Sequence, residues 1–329
     1  MEMTPRENML AILKGEQPQY YGDFQWAVKV MLDPIWKGDM VPQDGEEHKD
    51  SWGTTCAFLP GAPGKHPCVT PENAVIKDIT RWKQDLTIPS LKDLDWTSVK
   101  EAADQVNRDE YFVEFFSAQG LFERSHFLMG MEDAFCAYLE EPDAMFEMLT
   151  AIKDYKVAAI KEAAYHIKPD VCFFQDDWGS KQNLFLPPDV WEEMIKPLQV
   201  EIANTIHECG MIYVHHADCI CEPIAEEMED LGIDIWQGVI PENDIVGIQG
   251  RLQGKMAMLG GINGPALDAI DPTPEDVDKE VRRCIDTYCP GGKFFPGSPA
   301  PLLHAKNNEM LQAALRAYGE EWATKHPIA

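Results

Sequence analysis

The sequence has no run of about 18 apolar residues, so no membrane-crossing helix is expected. Its first stretch, Met1 to Leu13, carries Glu2, Arg6 and Glu7 and lacks the basic and apolar regions of a secretory signal, which points to the cytoplasm. Basic residues are scarce: 28 Lys plus Arg, only eight of them arginine, stand against 56 Asp plus Glu, for a net charge of -28. Such a surface repels nucleic acid and anionic membrane, and it disfavours an anionic substrate unless a local basic pocket intervenes. C-x-x-C pairs are absent. The nine cysteines, Cys56, Cys68, Cys136, Cys172, Cys209, Cys219, Cys221, Cys284 and Cys289, are odd in number and scattered, which reads as reduced thiols, most of them small buried hydrophobes. Neither G-x-G-x-x-G nor G-x-x-x-x-G-K-[ST] occurs, which argues against dinucleotide and nucleoside triphosphate sites.

What is present is a hydrophobic fraction of 45% over 329 residues, enough for a large core. Short apolar runs alternate with longer amphipathic ones. Strands are predicted at 111–118, 171–176, 211–216, 234–238, 256–262 and 293–297, with a weaker one at 20–26. Helices are predicted at 142–166, 188–209, 223–231, 274–289 and 308–318. Alternation of this kind is the mark of parallel βα units, and the strand number suits a (β/α)8 TIM-type barrel occupying residues 1–329 as one domain. Residues 35–110, rich in Pro, Gly and Trp, read as a loop and helical excursion over the barrel mouth.

Chemistry in such barrels sits at the carboxyl ends of the strands. One predicted strand ends in Gln175-Asp176-Asp177-Trp178, and two adjacent carboxylates there are costly to bury without a cation or a donor. The next ends in His215-His216-Ala217-Asp218-Cys219-Ile220-Cys221. Strand alternation puts His216 and Asp218 on one face and His215 on the other. A His beside a carboxylate suits proton transfer, metal ligation or substrate anchoring. Cys219 and Cys221 could complete a soft metal site with His216 and Asp218. Asp176, Asp177, His216 and Asp218 are therefore the catalytic candidates.

These segments resemble the uroporphyrinogen decarboxylase superfamily, which includes the cobamide-dependent methyltransferases. The resemblance runs nearly end to end. It begins with Thr4-Pro5-Arg6-Glu7-Asn8, Lys14-Gly15, Asp50-Ser51-Trp52-Gly53, Gly120-Leu121-Phe122-Glu123-Arg124 and Leu128-Met129-Gly130-Met131-Glu132. It continues in Gln175 to Ser180, Pro187-Pro188, Lys196-Pro197, His216-Ala217-Asp218 and Gly232-Ile233-Asp234. It closes with Gly260-Gly261-Ile262-Asn263, Gly291-Gly292-Lys293 and Pro296-Gly297-Ser298.

The resemblance implies a TIM-type barrel with a polar mouth. Residues 1–60 hold only Arg6 and none of the arginine-rich segment with which the true decarboxylase meets its polycarboxylate substrate. Where the thiol-acting methyltransferases have a zinc-binding His-x-Cys and a later Cys, this chain has His216, Asp218 and Ser298, a departure at two of three positions that leaves zinc possible but counts against it and against a thiol acceptor. The implied activity is methyl transfer from a small O- or N-methyl donor, such as a methoxylated aromatic, to the cobalt of a corrinoid (cobalamin) carried by a partner protein. His216, kept protonated by Asp218 or Asp176, would serve the leaving group; without a metal, Asp218 would orient the His216 ring. Trp178, Trp236, Phe295 and Phe294 could sandwich an aromatic donor, or could be core. Gln237, Asn263 and Ser298 complete the substrate-binding candidates. A decarboxylase with a cationic cradle of Lys181, Lys293 and Arg124 remains the alternative.

Overall fold

The computed structural model of the chain describes residues 2–60, 62 and 64–328. Seven strands form one sheet: β1 (Val28–Leu32), β2 (Phe112–Ser117), β3 (Val171–Gln175), β4 (Ile212–His216), β5 (Ile235–Val239), β6 (Ala257–Gly261) and β7 (Phe294–Gly297). All pair in parallel and in chain order, without the reversal that defines a doubly wound sheet. This is the TIM-type arrangement, with seven strands among the described residues where eight were expected.

The edges β1 and β7 share no ladder among the described residues. The turn Phe24–Ala27, just before β1, fills the seam instead. Phe24 stands edge-on to Phe295 of β7 (5.4 Å, 73°) and stacks on Phe112 of β2 (5.3 Å, 24°), so one ring bridges both sides of the curled sheet. The weak strand expected at 20–26 is this turn. The Asp23 carboxylate accepts the Gln25 amide (2.9 Å), which tightens the backbone before β1 starts.

Residues paired in register share a face, and neighbours along a strand alternate. Phe112, Phe24 and Phe295 therefore plug the amino-terminal end of the barrel interior. Glu114 lies above them, and Phe116, Phe173, Gln175, His216 and Gln237 rise toward the carboxyl ends. Phe115, Phe174, Tyr213, His215, Trp236 and Phe294 take the opposite face, toward the helices, and all are buried.

The helix expected over 188–209 is two, Pro188–Met194 and Lys196–Glu208, because Pro197 has no N–H to continue the first. The 223–231 segment opens as a single 3-10 turn, Glu222–Ile224, before Ala225–Asp230, and the last helix is longer than expected, Ala305–Lys325. The excursion also holds a small antiparallel sheet, Glu47–Lys49, Thr55–Ala57 and His66–Pro67, which composition did not reveal. Its first turn is set by Asp50, which accepts the amides of Trp52 (3.0 Å) and Thr54 (2.8 Å). Asp50 also pairs with buried Arg124 (2.9 Å) and so ties the excursion to the helix Leu121–Met129. Among the described residues no helix is long and apolar enough to cross a membrane.

Candidate active site at the carboxyl ends of the strands

Asp177, His216 and Asp218 converge just past β3 and β4. Each offers one ligand-capable atom, and these atoms lie within 4.8 Å of one another, all half-buried. Asp177 accepts the Asp218 amide (2.9 Å), which locks the two loops together. Burial raises the Asp177 carboxyl, as does Asp218, while His216 lowers it. Lys181 closes the outer side, with its ammonium 3.0 Å from Asp218.

The His216 ring is oriented by Gln237, not by Asp218. His216 Nδ1 donates to Gln237 Oε1, and the Gln237 amide is itself fixed by donating to the Pro299 carbonyl (3.1 Å). This leaves Nε2 as the ring atom open to ligation or proton transfer. The ring also stacks on Phe173 (5.6 Å, 26°), Phe173 on Phe116 (5.4 Å, 23°), and Phe116 touches Trp36 of the excursion (5.5 Å). A row of rings thus runs from the rim to the histidine.

Asp176 is outside this group. Its side chain is fully buried on the helix-facing side, where it accepts the amides of Phe122 (3.1 Å) and Glu123 (2.8 Å) and the Trp178 indole N–H (3.0 Å). It closes the amino end of the helix Leu121–Met129, and burial pushes its carboxyl up to about 6. Gly120 permits this approach, since a Cβ there would lie 2.3 Å from Asp176 Cβ and Cγ. His215 keeps it company: its Nδ1 accepts the Tyr213 hydroxyl (3.0 Å), its Nε2 donates to the Asp176 carbonyl (3.2 Å), and its ring stacks on Trp178 at 4.0 Å.

The family profile for "Uroporphyrinogen decarboxylase (URO-D)" matches residues 118–299, more than half of the chain and the whole of the Asp177–His216–Asp218 group. The chain belongs to the uroporphyrinogen decarboxylase family. It is therefore an enzyme of that family. A methyltransferase from Methanosarcina mazei is similar in structure, with a TM-score of 0.64 over 96% of this chain and 99% of that one; at 14% identity the likeness is one of fold. Comparison with curated proteins found no match.

In this member of the uroporphyrinogen decarboxylase family, several expected substrate contacts lie elsewhere. Trp178, Trp236 and Phe295 are fully buried. Trp236 precedes inward-facing Gln237 and so points outward, donating to the Ala217 carbonyl (2.9 Å). Phe295 belongs to the lower plug, and Phe294 faces outward. The Asn263 side chain caps the short helix Gly264–Asp268 by accepting the Ala266 amide (3.0 Å). Half-buried Ser298 donates to the Ala300 carbonyl, in the loop that also holds Gln237.

The Cys219 and Cys221 sulfurs lie 3.4 Å apart and buried, outside the three-residue group. The contact with Cys221, followed by burial, raises the Cys219 thiol, which keeps it protonated and a poor ligand. The cationic cradle is not assembled. Arg124 is consumed by Asp50, Lys181 by Asp218, and Lys293 precedes β7 at the opposite end of the barrel.

Sequence reasoning missed Phe116, Phe173 and Gln175, although strand parity with His216 would have found them. It also missed Glu123, whose buried carboxyl is raised by burial and by Asp177 and Asp176, and whose Oε1 accepts from Gln175 (3.4 Å).

Proposed function

We propose that this enzyme moves a methyl group from a small O- or N-methyl donor to the cobalt of a corrinoid protein. The observation that carries the reading is the inner wall, where an aromatic row leads to the Asp177–His216–Asp218 group and, among the described residues, no inward strand position holds Lys or Arg. A polycarboxylate destined for decarboxylation would meet carboxylates there, with the nearby Lys181 already paired to Asp218. A methyl donor needs only an apolar seat and a group that serves the departing heteroatom.

Asp177, His216 and Asp218 form a donor set of one imidazole and two carboxylates, which fits a divalent cation harder than a thiolate site would select. Bound there, such a cation would supply Lewis acidity to the leaving heteroatom. The chain's own contribution is positional. Gln237 holds the ring through Nδ1, which leaves Nε2 for the site, and Phe173 covers one face of the imidazole. Without a cation, His216 Nε2 is the atom that carries a proton to the leaving oxygen or nitrogen, a contribution of roughly 10²–10⁴-fold. Transfer from a panel of O- and N-methyl donors to reduced cobalamin tests the reading. Release of carbon dioxide from a carboxylated substrate, with no methylcobalamin from any donor, would replace it with the decarboxylase.

A further inference from the structure

Below the aromatic row the barrel interior is acidic. Glu114 points inward from β2, between Phe112 of the plug and Phe116 of the row. It is 1% exposed, and its Oε2 has no hydrogen-bond partner. Burial raises the Glu114 carboxyl, a side-chain hydrogen bond with Gln25 of the seam turn draws it partly back, and Asp23, also buried on that turn, pushes it up again. Val30, the register partner of Glu114 on β1, is nevertheless 50% exposed. Solvent thus reaches the β1 wall of this layer, while the carboxyl beside it stays closed. An unsatisfied carboxyl oxygen thus lies beneath the site, with aromatic carbon above it and, among the described residues, no Lys or Arg at any inward strand position.

We infer that Asp23 and Glu114 form a subsite for a cationic nitrogen of the substrate, so that the donor is an organic ammonium compound and not a methoxylated aromatic acid. A buried acceptor without a partner is disfavoured unless a ligand completes it. An ammonium ion completes it electrostatically, and aromatic faces such as those of Phe116 and Phe173 attract the same charge. A carboxylated donor would place like charges together in a site of low dielectric. Burial holds Glu114 at about 8 and Asp23 at about 6, and a bound cation would favour the ionised form of both.

This subsite deepens the methyl-transfer reading and rests on it only for what happens to the bound donor. Calorimetry without any corrinoid separates the two. The probes are choline, its uncharged isostere 3,3-dimethylbutan-1-ol, and 3-methoxybenzoate. Choline is expected to bind at least tenfold more tightly than either of the others. Glu114→Gln is expected to weaken choline at least tenfold while leaving the isostere unchanged, and Asp23→Asn to act in the same direction on a protein of normal circular dichroism. Equal affinity for choline and its isostere, no choline binding, tighter binding of 3-methoxybenzoate, or an unaltered affinity in both variants would overturn the subsite. Methyl transfer from a non-cationic donor with no choline binding would refute the subsite and leave the methyltransferase standing.

Discussion

Two pairs of neighbours, Asp176 with Asp177 and His215 with His216, carry identical chemistry on opposite faces of the same strand ends. On the outward side, Asp176 and His215 are buried in a closed network with Trp178, Tyr213 and the amides of one helix. Their hydrogen-bonding groups are occupied, and burial drives the His215 imidazole down to about 3, so it stays neutral. On the inward side, Asp177 and His216 are half-buried and share a donor cluster with Asp218. Residue type does not separate a closed group from an open one here. Strand parity does, because it decides whether a side chain meets packed helix or open interior.

The widest separation between the two faces should appear in turnover. His216→Ala is expected to cut methyl transfer by roughly 10²-fold or more with little change in melting temperature, as loss of a positioned acid or ligand does. A variant that turns over normally would return His216 to the structural class. His215→Ala should do the reverse and lower unfolding stability by about 2–4 kcal/mol, since it empties a stacked site and strands the Tyr213 hydroxyl. Chemical denaturation measures this, and a stability loss below about 0.5 kcal/mol would mean that the outward network is dispensable.

Glu114→Gln sharpens the contrast within the interior. The folded carboxyl sits near 8 against an ordinary 4.5, so the wild type loses stability as pH rises through that interval, at about 1.4 kcal/mol per unit. The variant should match wild type near pH 4.5 and exceed it by a few kcal/mol at pH 8.5. Identical stability–pH curves would place the carboxyl in contact with water. The smallest effect belongs to Gln237→Ala, which frees the His216 ring without removing it: about tenfold in kcat, with KM nearly unchanged. A rise in KM alone would make Gln237 a substrate contact.

Much of the architecture could be read from the sequence because β-branched and aromatic runs bounded by turn residues recur at βα spacing. The seam could not. Tyr20 to Trp26 has the composition of a strand, and only the Asp23 cap and the need to fill the gap beside Phe295 make it a turn. Within the site, His216 and Asp218 were found by parity. The same rule applied to 173–178 separates Phe173, Gln175 and Asp177 from Phe174, Asp176 and Trp178. Composition favoured the tryptophans instead, because large aromatics serve cores and ligand pockets alike. Gln237 as the orienting partner of His216 depends on register between β4 and β5, which no single segment encodes.

The seam turn has a bearing on how such a barrel changes its substrate. Its residues Asp23 and Phe24 line the interior without belonging to any ladder, so the Asp23 side chain can be exchanged while every strand pairing is kept. Most barrel walls couple each inward residue to the integrity of two neighbouring strands. Here one stave is a turn, and inherited variation at Asp23 could alter what the floor accepts without breaking a strand pairing, while Phe24 must keep filling the seam. Evolvability is concentrated where the sheet fails to close.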